Sequence, residues 1–370
     1  MSLDMSDGND DTTLVFEPTS EPVPAGERAR RLADPGFGRV FTDHMALIEY
    51  DEQHGWNNAR ITARKPFALD PATPVLHYAQ EIFEGLKAYR RPDGKAALFR
   101  PDANARRFVS SARRMAMPAL PEEMFLESVR GLIRADRDWI PKTDDGSLYL
   151  RPFMFASGSF LGVRPSSQYT YAVIASAVGG YFKGDNPSVS LWVTREYVRA
   201  APGGTGAAKC GGNYAASLVA QAEAIQHGCD QVVFLDAVER RWVEELGGMN
   251  VCFVFDDGSL QTPPLSDTIL AGVTRDSLLR LARDMGVAVR EEPYSIEQWA
   301  TDARSGRLTE AFACGTAAVV TPIGSVKGAE GEFTIGGQST GPLTMRLRSA
   351  LVDIQRGAAP DPYGWVELID

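Results

Sequence analysis

The sequence predicts an α+β protein of two domains. Its 370 residues exceed what one hydrophobic core usually covers. Strand-like and helix-like stretches follow one another without the regular β–α–β rhythm of a doubly wound parallel sheet. A run dense in turn residues, GGYFKGDNPS at 179–188, divides the chain near its middle.

Taken in order, residues 1–20 are acidic and small, which predicts a solvated tail that buries too little surface to order itself. Residues 21–178 are expected to form an N-terminal domain. MALIEYD (45–51) has strand character, and FEGLKAYRRPDGKAALFR (83–100) reads as a hairpin turning at Pro92-Asp93-Gly94. DANARRFVSSARRMAM (102–117) spaces its apolar positions as an amphipathic helix, with Pro118 as its stop. SLYLRPFMFAS (147–157) and YTYAVIASAV (169–178) add two strands. A linker at 179–189 leads into a C-terminal domain, 190–370. There VSLWVTREYVR (189–199) opens a strand, and NYAASLVAQAEAIQHG (213–228) predicts a helix closed by Gly228. QVVFLD and MNVCFVFDDGSLQTPP are strands, TRDSLLRLARDMG (274–286) a helix, and EAFACGTAAVVTPIG (310–324) a short apolar run.

Hydrophobic residues make up 44% of the chain and charged residues 23%, near globular averages. A formal net charge of -10 argues against nucleic acid or an anionic membrane as partner. No apolar run approaches the ~18 residues that cross a bilayer. The acidic start resembles neither a secretory signal nor a transit peptide, so a cytoplasmic protein is expected. Four scattered cysteines (Cys210, Cys229, Cys252, Cys314) fit reduced thiols, and four scattered histidines predict no metal site.

The stretch PGGTGAAKCGGNY (202–214) sets one lysine among five glycines. A phosphate loop would require G-x-x-x-x-G-K-S/T. Here Ala208 replaces the last glycine and Cys210 stands where the hydroxyl should be. A solvated lysine on a glycine turn is the commoner object. The third reading is a lysine that bonds a carbonyl cofactor through its neutral amine, with small neighbours admitting a planar ring and Tyr214 offering a phenol. Pyridoxal phosphate would further need an acid on its ring nitrogen and a cradle for its phosphate. Glu245, 36 residues after Lys209 and just before Gly247-Gly248, could be that acid, or simply an exposed turn residue. The helix starting near Thr274 could receive a phosphate, or simply carry an ordinary cap. CGTAAV after Cys314 gives a tight turn suited to anions.

FTDHM (41–45), HYAQEIFEGLKAY (77–89), LFRPDANARR (98–107), SLYLRPF (147–153), GGTGAAKCGGNYAASLVAQAEA (203–224), GCDQVVFLD (228–236), EELGGMN (244–250), TILAGVTRDSLL (268–279) and ACGTAAVVTP (313–322) occur in one order. Together they resemble the branched-chain amino-acid aminotransferases, pyridoxal-phosphate enzymes of fold type IV. The resemblance implies a smaller N-terminal α/β domain and a larger C-terminal mixed-sheet domain with the cofactor between them. It implies a homodimer that exchanges amino groups between leucine, isoleucine or valine and 2-oxoglutarate by a ping-pong route.

By the same resemblance, Lys209 would hold the cofactor and carry the proton at the substrate's Cα. Tyr214 would bond the ring hydroxylate and Glu245 the ring nitrogen. Arg107, favoured over its neighbour Arg106, would bind the phosphate with Val273, Thr274 and Thr316. The substrate carboxylate would lie near Gly248 and Ala317. Phe37, Tyr78, Phe83, Tyr149 and Tyr181 would wall an apolar pocket. Arg151 would meet the distal carboxylate of glutamate, and a partner-subunit loop around Val163 would close the site. Two departures follow. Ala318 and Thr321 replace a cysteine pair that some animal members carry after the G-T-A turn, so no redox switch is expected there; Gly248 stands where some relatives have threonine. D-amino-acid aminotransferases and aminodeoxychorismate lyases share the fold but differ in these pocket motifs.

Overall fold

The computed structural model describes residues 14–143, 145–179, 188–338 and 340–370. Two sheets organise them. The first runs Val15–Phe16, Gly55–Ala63, His44–Asp51, Gln168–Val178, Ser147–Ala156, Leu86–Arg90, Ala96–Phe99 and Val366–Ile369. It is antiparallel except where Val15–Phe16 lies parallel to Gly55–Ala63. The second runs Val243–Leu246, Gln231–Leu235, Val189–Val193, Val319–Gly328, Leu308–Gly315, Asn250–Phe255, Leu260–Thr262 and Val289–Glu291. It is mixed, because Val189–Val193 is parallel to both its neighbours.

Helices Pro101–Arg114 and Glu122–Ala135 cover the first sheet, burying Phe108 and Phe125 against Tyr171. On the second sheet, successive side chains of Asn250–Phe255 alternate between two cores, as strand geometry requires. Cys252 and Val254 meet Val273–Asp284 and Pro342–Arg356 on one face. Val251 and Phe253 meet Ile296–Ser305 on the other, where Trp299 sits edge-on 4.8 Å from the Phe253 ring.

The hairpin turns as expected, with Arg91 N–H on the Lys95 carbonyl at 2.9 Å and Gly94 at φ 82. Four expectations shift. Residues 1–13 of the expected solvated tail lie outside the described residues, and its remainder is not solvated throughout, because Val15–Phe16 pairs with Arg60 and Ile61 and Phe16 packs 5.5 Å from the His44 ring. The C-terminal stretch does not stay in the second sheet. Val366–Ile369 returns to cover the edge strand Ala96–Phe99, anchored by Arg100 N–H on the Trp365 carbonyl at 2.7 Å. The helix from Pro101 stops at Arg114, before Pro118 can act, because Ala116 turns left-handed at φ 52. The helix expected over 213–228 is two, Gly211–Ala215 and Leu218–Gln226, where Ser217 N–H bonds back three residues to the Tyr214 carbonyl at 3.0 Å. Gly228, at φ 68, ends the second. Most of the expected linker, and Tyr181 with it, lies outside the described residues. Among the described residues no helix is long and apolar enough to cross a membrane, and no group of three or more His, Cys, Asp or Glu is placed to hold a metal.

Candidate functional site

Between the two sheets opens a cleft of about 750 Å³. Its lining brings together Phe37, Phe83, Arg107, Tyr149, Arg151, Lys209, Tyr214, Gly248, Val273, Thr274, Thr316 and Ala317, residues drawn from 280 positions of sequence. Asn250, Leu270 and Cys314, which spacing did not single out, join them. Tyr78 and Val163 do not line it. Val163 is 92% exposed, on a loop where Gly162 N–H donates to the Tyr78 hydroxyl at 3.0 Å.

The glycine loop earns its composition at two places. Gly203 adopts φ 75, and Gly206 runs so close to the Thr268 backbone that a Cβ would lie 2.6 Å from its Cα. Ala207 N–H then donates to the Asp267 carbonyl at 2.9 Å. Lys209 is strapped to the other domain: its N–H donates to Ser111 Oγ at 3.0 Å, and its carbonyl accepts from Phe83 N–H at 2.9 Å. The backbone fixed, Nζ donates to Tyr214 Oη at 2.9 Å and stands 4.9 Å from the centre of the Phe83 ring. The lysine is therefore aimed into the cleft rather than into solvent.

Glu245 sits behind the cleft, 3% exposed, on a strand that ends in a tight hairpin where Leu246 and Met249 exchange two 2.8 Å backbone bonds. Oε1 accepts from Leu270 N–H at 2.6 Å and Asn250 Nδ2 at 3.2 Å. Oε2 faces the Arg199 guanidinium at 3.0 Å. Burial pushes the Glu245 carboxyl up to about 7, against the pull of Arg199. A carboxylate oxygen accepts about two bonds, so Oε1 is filled, while Oε2 meets Arg199 Nε as an ion pair without accepting a hydrogen bond from it. Sequence reading missed Arg199, because a buried arginine ten residues before Lys209 has no pattern of its own.

Across the cleft, Arg107 is held by Glu84, Nε on Oε1 at 2.7 Å and Nη2 on Oε2 at 2.8 Å, while Nη1 donates to the Ala271 carbonyl at 2.9 Å. Burial alone would raise the Glu84 carboxyl; the attraction of Arg107, with Lys209 and Asn104, holds it below the usual range instead. Helix Val273–Asp284 begins here behind Gly272 with no side chain capping its first N–H groups, so its positive end faces the cleft. Arg151 lies over Phe83 at 4.8 Å and donates to Tyr149 Oη at 3.2 Å, yet its Nε is buried without a hydrogen-bond partner among the described residues. Such an atom points to an absent acceptor.

Residues 81–326 match the family model described as amino-transferase class IV. The chain is 55% identical over 358 residues to a probable branched-chain-amino-acid aminotransferase of Streptomyces coelicolor, covering 96% of this chain and 99% of that protein. The chain belongs to the class IV aminotransferases. It is also 46% identical to branched-chain-amino-acid transaminase 1 of Bacillus subtilis over 89% of its length and 93% of that protein's. The branched-chain amino acid aminotransferase of Escherichia coli superposes with a TM-score of 0.72 at 28% identity, covering 89% of this chain and 99% of that one. The aminotransferase fold thus accounts for the two sheets and for the cleft between them. Cys314, just before the Gly315–Ala318 turn, is buried and free, with its thiol in contact with the buried thiol of Cys252.

Proposed function

We propose that this aminotransferase exchanges amino groups between L-leucine, L-isoleucine or L-valine and 2-oxoglutarate, with pyridoxal phosphate as cofactor. One observation carries the reading most. On one wall of the cleft stand a lysine amine 2.9 Å from a phenol and a buried carboxylate whose Oε1 is filled and whose Oε2 is open to a donor. The donor set fits the cofactor group by group. Lys209 would hold its carbonyl carbon, Tyr214 its ring hydroxylate and Glu245 Oε2 its ring N–H. Arg107, Thr316 and the uncapped N–H groups of Val273 and Thr274 would hold its phosphate. When bound, the ring supplies an electron sink for the charge that develops at the substrate's Cα.

The remaining work falls to the chain's own groups. Once the substrate's amine has displaced it from the carbonyl carbon, the freed Lys209 Nζ would take the Cα proton and pass it to the carbon that receives the amino group, a transfer its tethered backbone keeps within reach. Glu245 would keep the ring nitrogen protonated. Gly248 and the Ala317 N–H leave room for, and donate to, the α-carboxylate. Phe37, Phe83 and Tyr149 form the apolar wall for branched side chains. Arg151 Nε, lacking a partner, is placed to receive the distal carboxylate of glutamate, so one pocket serves both substrates.

We further propose a homodimer in which the loop carrying Val163 and Leu161, 92% and 72% exposed, closes the partner's cleft. Tyr181 is assigned to the same pocket. Four free, buried thiols favour a reducing compartment, and the cytoplasm is the proposed location. The test is the visible absorption spectrum of the purified protein before and after L-leucine, with no oxo acid added. A visible band that leucine moves to the near ultraviolet supports cofactor and first half-reaction. A band indifferent to leucine removes the substrate assignment, and no band after reconstitution removes the cofactor.

A further inference from the structure

Lys87 is a half-buried cation that none of the roles above uses. It stands opposite Tyr149 in the first sheet, so both side chains leave the same face toward the second domain. Its Nζ crosses the boundary and donates to the Ala317 carbonyl at 2.7 Å, 230 residues away. Ala317 and Thr316 line the main cleft on their other side. Behind that turn lies a small cavity of about 320 Å³, bordered by Lys87, Asn104, Val273, Thr274 and Thr316.

Among the described residues no carboxylate lies within ion-pair distance of Lys87. The charges that act on it are Arg356 and Arg348, and burial with their repulsion lowers its amine to about 7. A buried ammonium without a counter-charge is costly. The Glu84–Arg107 pair shows that the same region does supply carboxylates where the fold needs them. What Lys87 faces instead is a turn and an uncapped helix start that both line the cleft.

We propose that Lys87 is a positioning residue and counter-charge for the anion bound at the Thr316–Ala317 turn. By holding the Ala317 carbonyl, and with it the Ala317–Ala318 peptide, the ammonium pins the turn in place against the cleft. An anion bound there in turn stabilises the ammonium. Two anions meet this chemistry, the phosphate of the cofactor and the carboxylate of the substrate. The proposal rests on the transaminase reading only for their identity.

The experiment compares wild type, Lys87→Met and Lys87→Arg in the full chain stripped of cofactor. Titrations use pyridoxal phosphate, pyridoxal and inorganic phosphate, followed by steady-state kinetics with leucine and 2-oxoglutarate. For a phosphate partner, Lys87→Met weakens pyridoxal phosphate and inorganic phosphate about tenfold or more, leaves pyridoxal unchanged, and is rescued by arginine. For a carboxylate partner, the KM values of both substrates rise by a similar factor while kcat stays within about twofold. Loss of pyridoxal and pyridoxal phosphate binding alike, unrescued by arginine, would reduce Lys87 to packing and overturn the proposal. Unchanged affinities and KM values would overturn it too. Inorganic phosphate binding reads the anion site even if wild type shows no leucine-dependent band, so the two readings fail separately.

Discussion

Replacing Glu245 by glutamine in the cofactor-free protein tests whether its carboxyl is as perturbed as its surroundings require. The side chain moves from an ordinary 4.5 to about 7 on burial. Each factor of ten in proton affinity is worth about 1.4 kcal/mol. The fully ionised carboxylate therefore costs the folded state roughly 3 kcal/mol relative to the unfolded one. The folded value lies above the unfolded one, so Glu245's stabilising protonation is complete below 4.5 and is lost as pH rises through about 7. About 2 to 3 kcal/mol of that change falls between pH 5 and pH 8. Glutamine has no such dependence. It also leaves Arg199 without its partner, a penalty that does not vary with pH because the guanidinium stays charged. Urea unfolding of both proteins at the two pH values isolates the difference. The variant should gain about 2 to 3 kcal/mol on wild type from pH 5 to pH 8. A difference that stays constant would refute the raised carboxyl, and with it the account of Glu245 as a desolvated acid restrained by Arg199.

Lys209→Ala should abolish turnover with leucine and leave the far-ultraviolet circular dichroism unchanged; appreciable residual turnover would take the Cα proton away from Nζ. Gly85→Ala would place a Cβ 2.9 Å from Tyr149 Cζ and push that ring into the cleft, so the KM for leucine should rise several-fold while the cofactor stays bound. An unchanged KM would remove Tyr149 from the substrate wall. Glu84→Gln breaks a buried pair with contacts of 2.7 and 2.8 Å, and should cost about 3 kcal/mol or more of stability at neutral pH. The Glu84 carboxyl titrates below 4.5, so that deficit should shrink as pH falls through acid values and wild type loses the same charge; a deficit independent of pH down to unfolding contradicts the ion-pair account.

The parts of the site that the sequence revealed share a physical property: each lies in a short stretch whose geometry is set locally. The loop at 202–214 reads from its glycines, because Gly203 and Gly206 meet constraints that other residues resist. The helix starting at Val273 reads from its apolar period. Glu84, Arg199 and Lys87 left no such trace. Glu84 stood inside a quoted run with no role, since its partner Arg107 is 23 positions away and joins it only when the helix folds onto the strand. Arg199 meets Glu245 across 46 positions. The return of Val366–Ile369 to the first sheet was hidden for the same reason, because an edge strand in need of cover carries no signal in the strand that covers it.

These missed contacts have a common chemistry, which bears on how the cleft is held open at the right width. Cationic side chains of the N-terminal domain repeatedly end on carbonyl oxygens of the C-terminal one. Lys87 reaches Ala317 at 2.7 Å, Arg107 reaches Ala271 at 2.9 Å, and Arg114 reaches Gly203 and Gly204 at 2.7 Å each. The accepting carbonyls belong to the turn beside Thr316, the approach to the Val273 helix and the loop that carries Lys209. A carbonyl that accepts a charge-assisted bond is fixed in orientation, and the planar peptide fixes the following residue's N–H with it, here those of Ala318, Gly272, Gly204 and Thr205. The docking of the two domains thus also fixes the turn, the helix approach and the loop that border the cleft. Weakening these cations should misplace donors by fractions of an ångström without exposing either hydrophobic core, lowering affinity and turnover before stability.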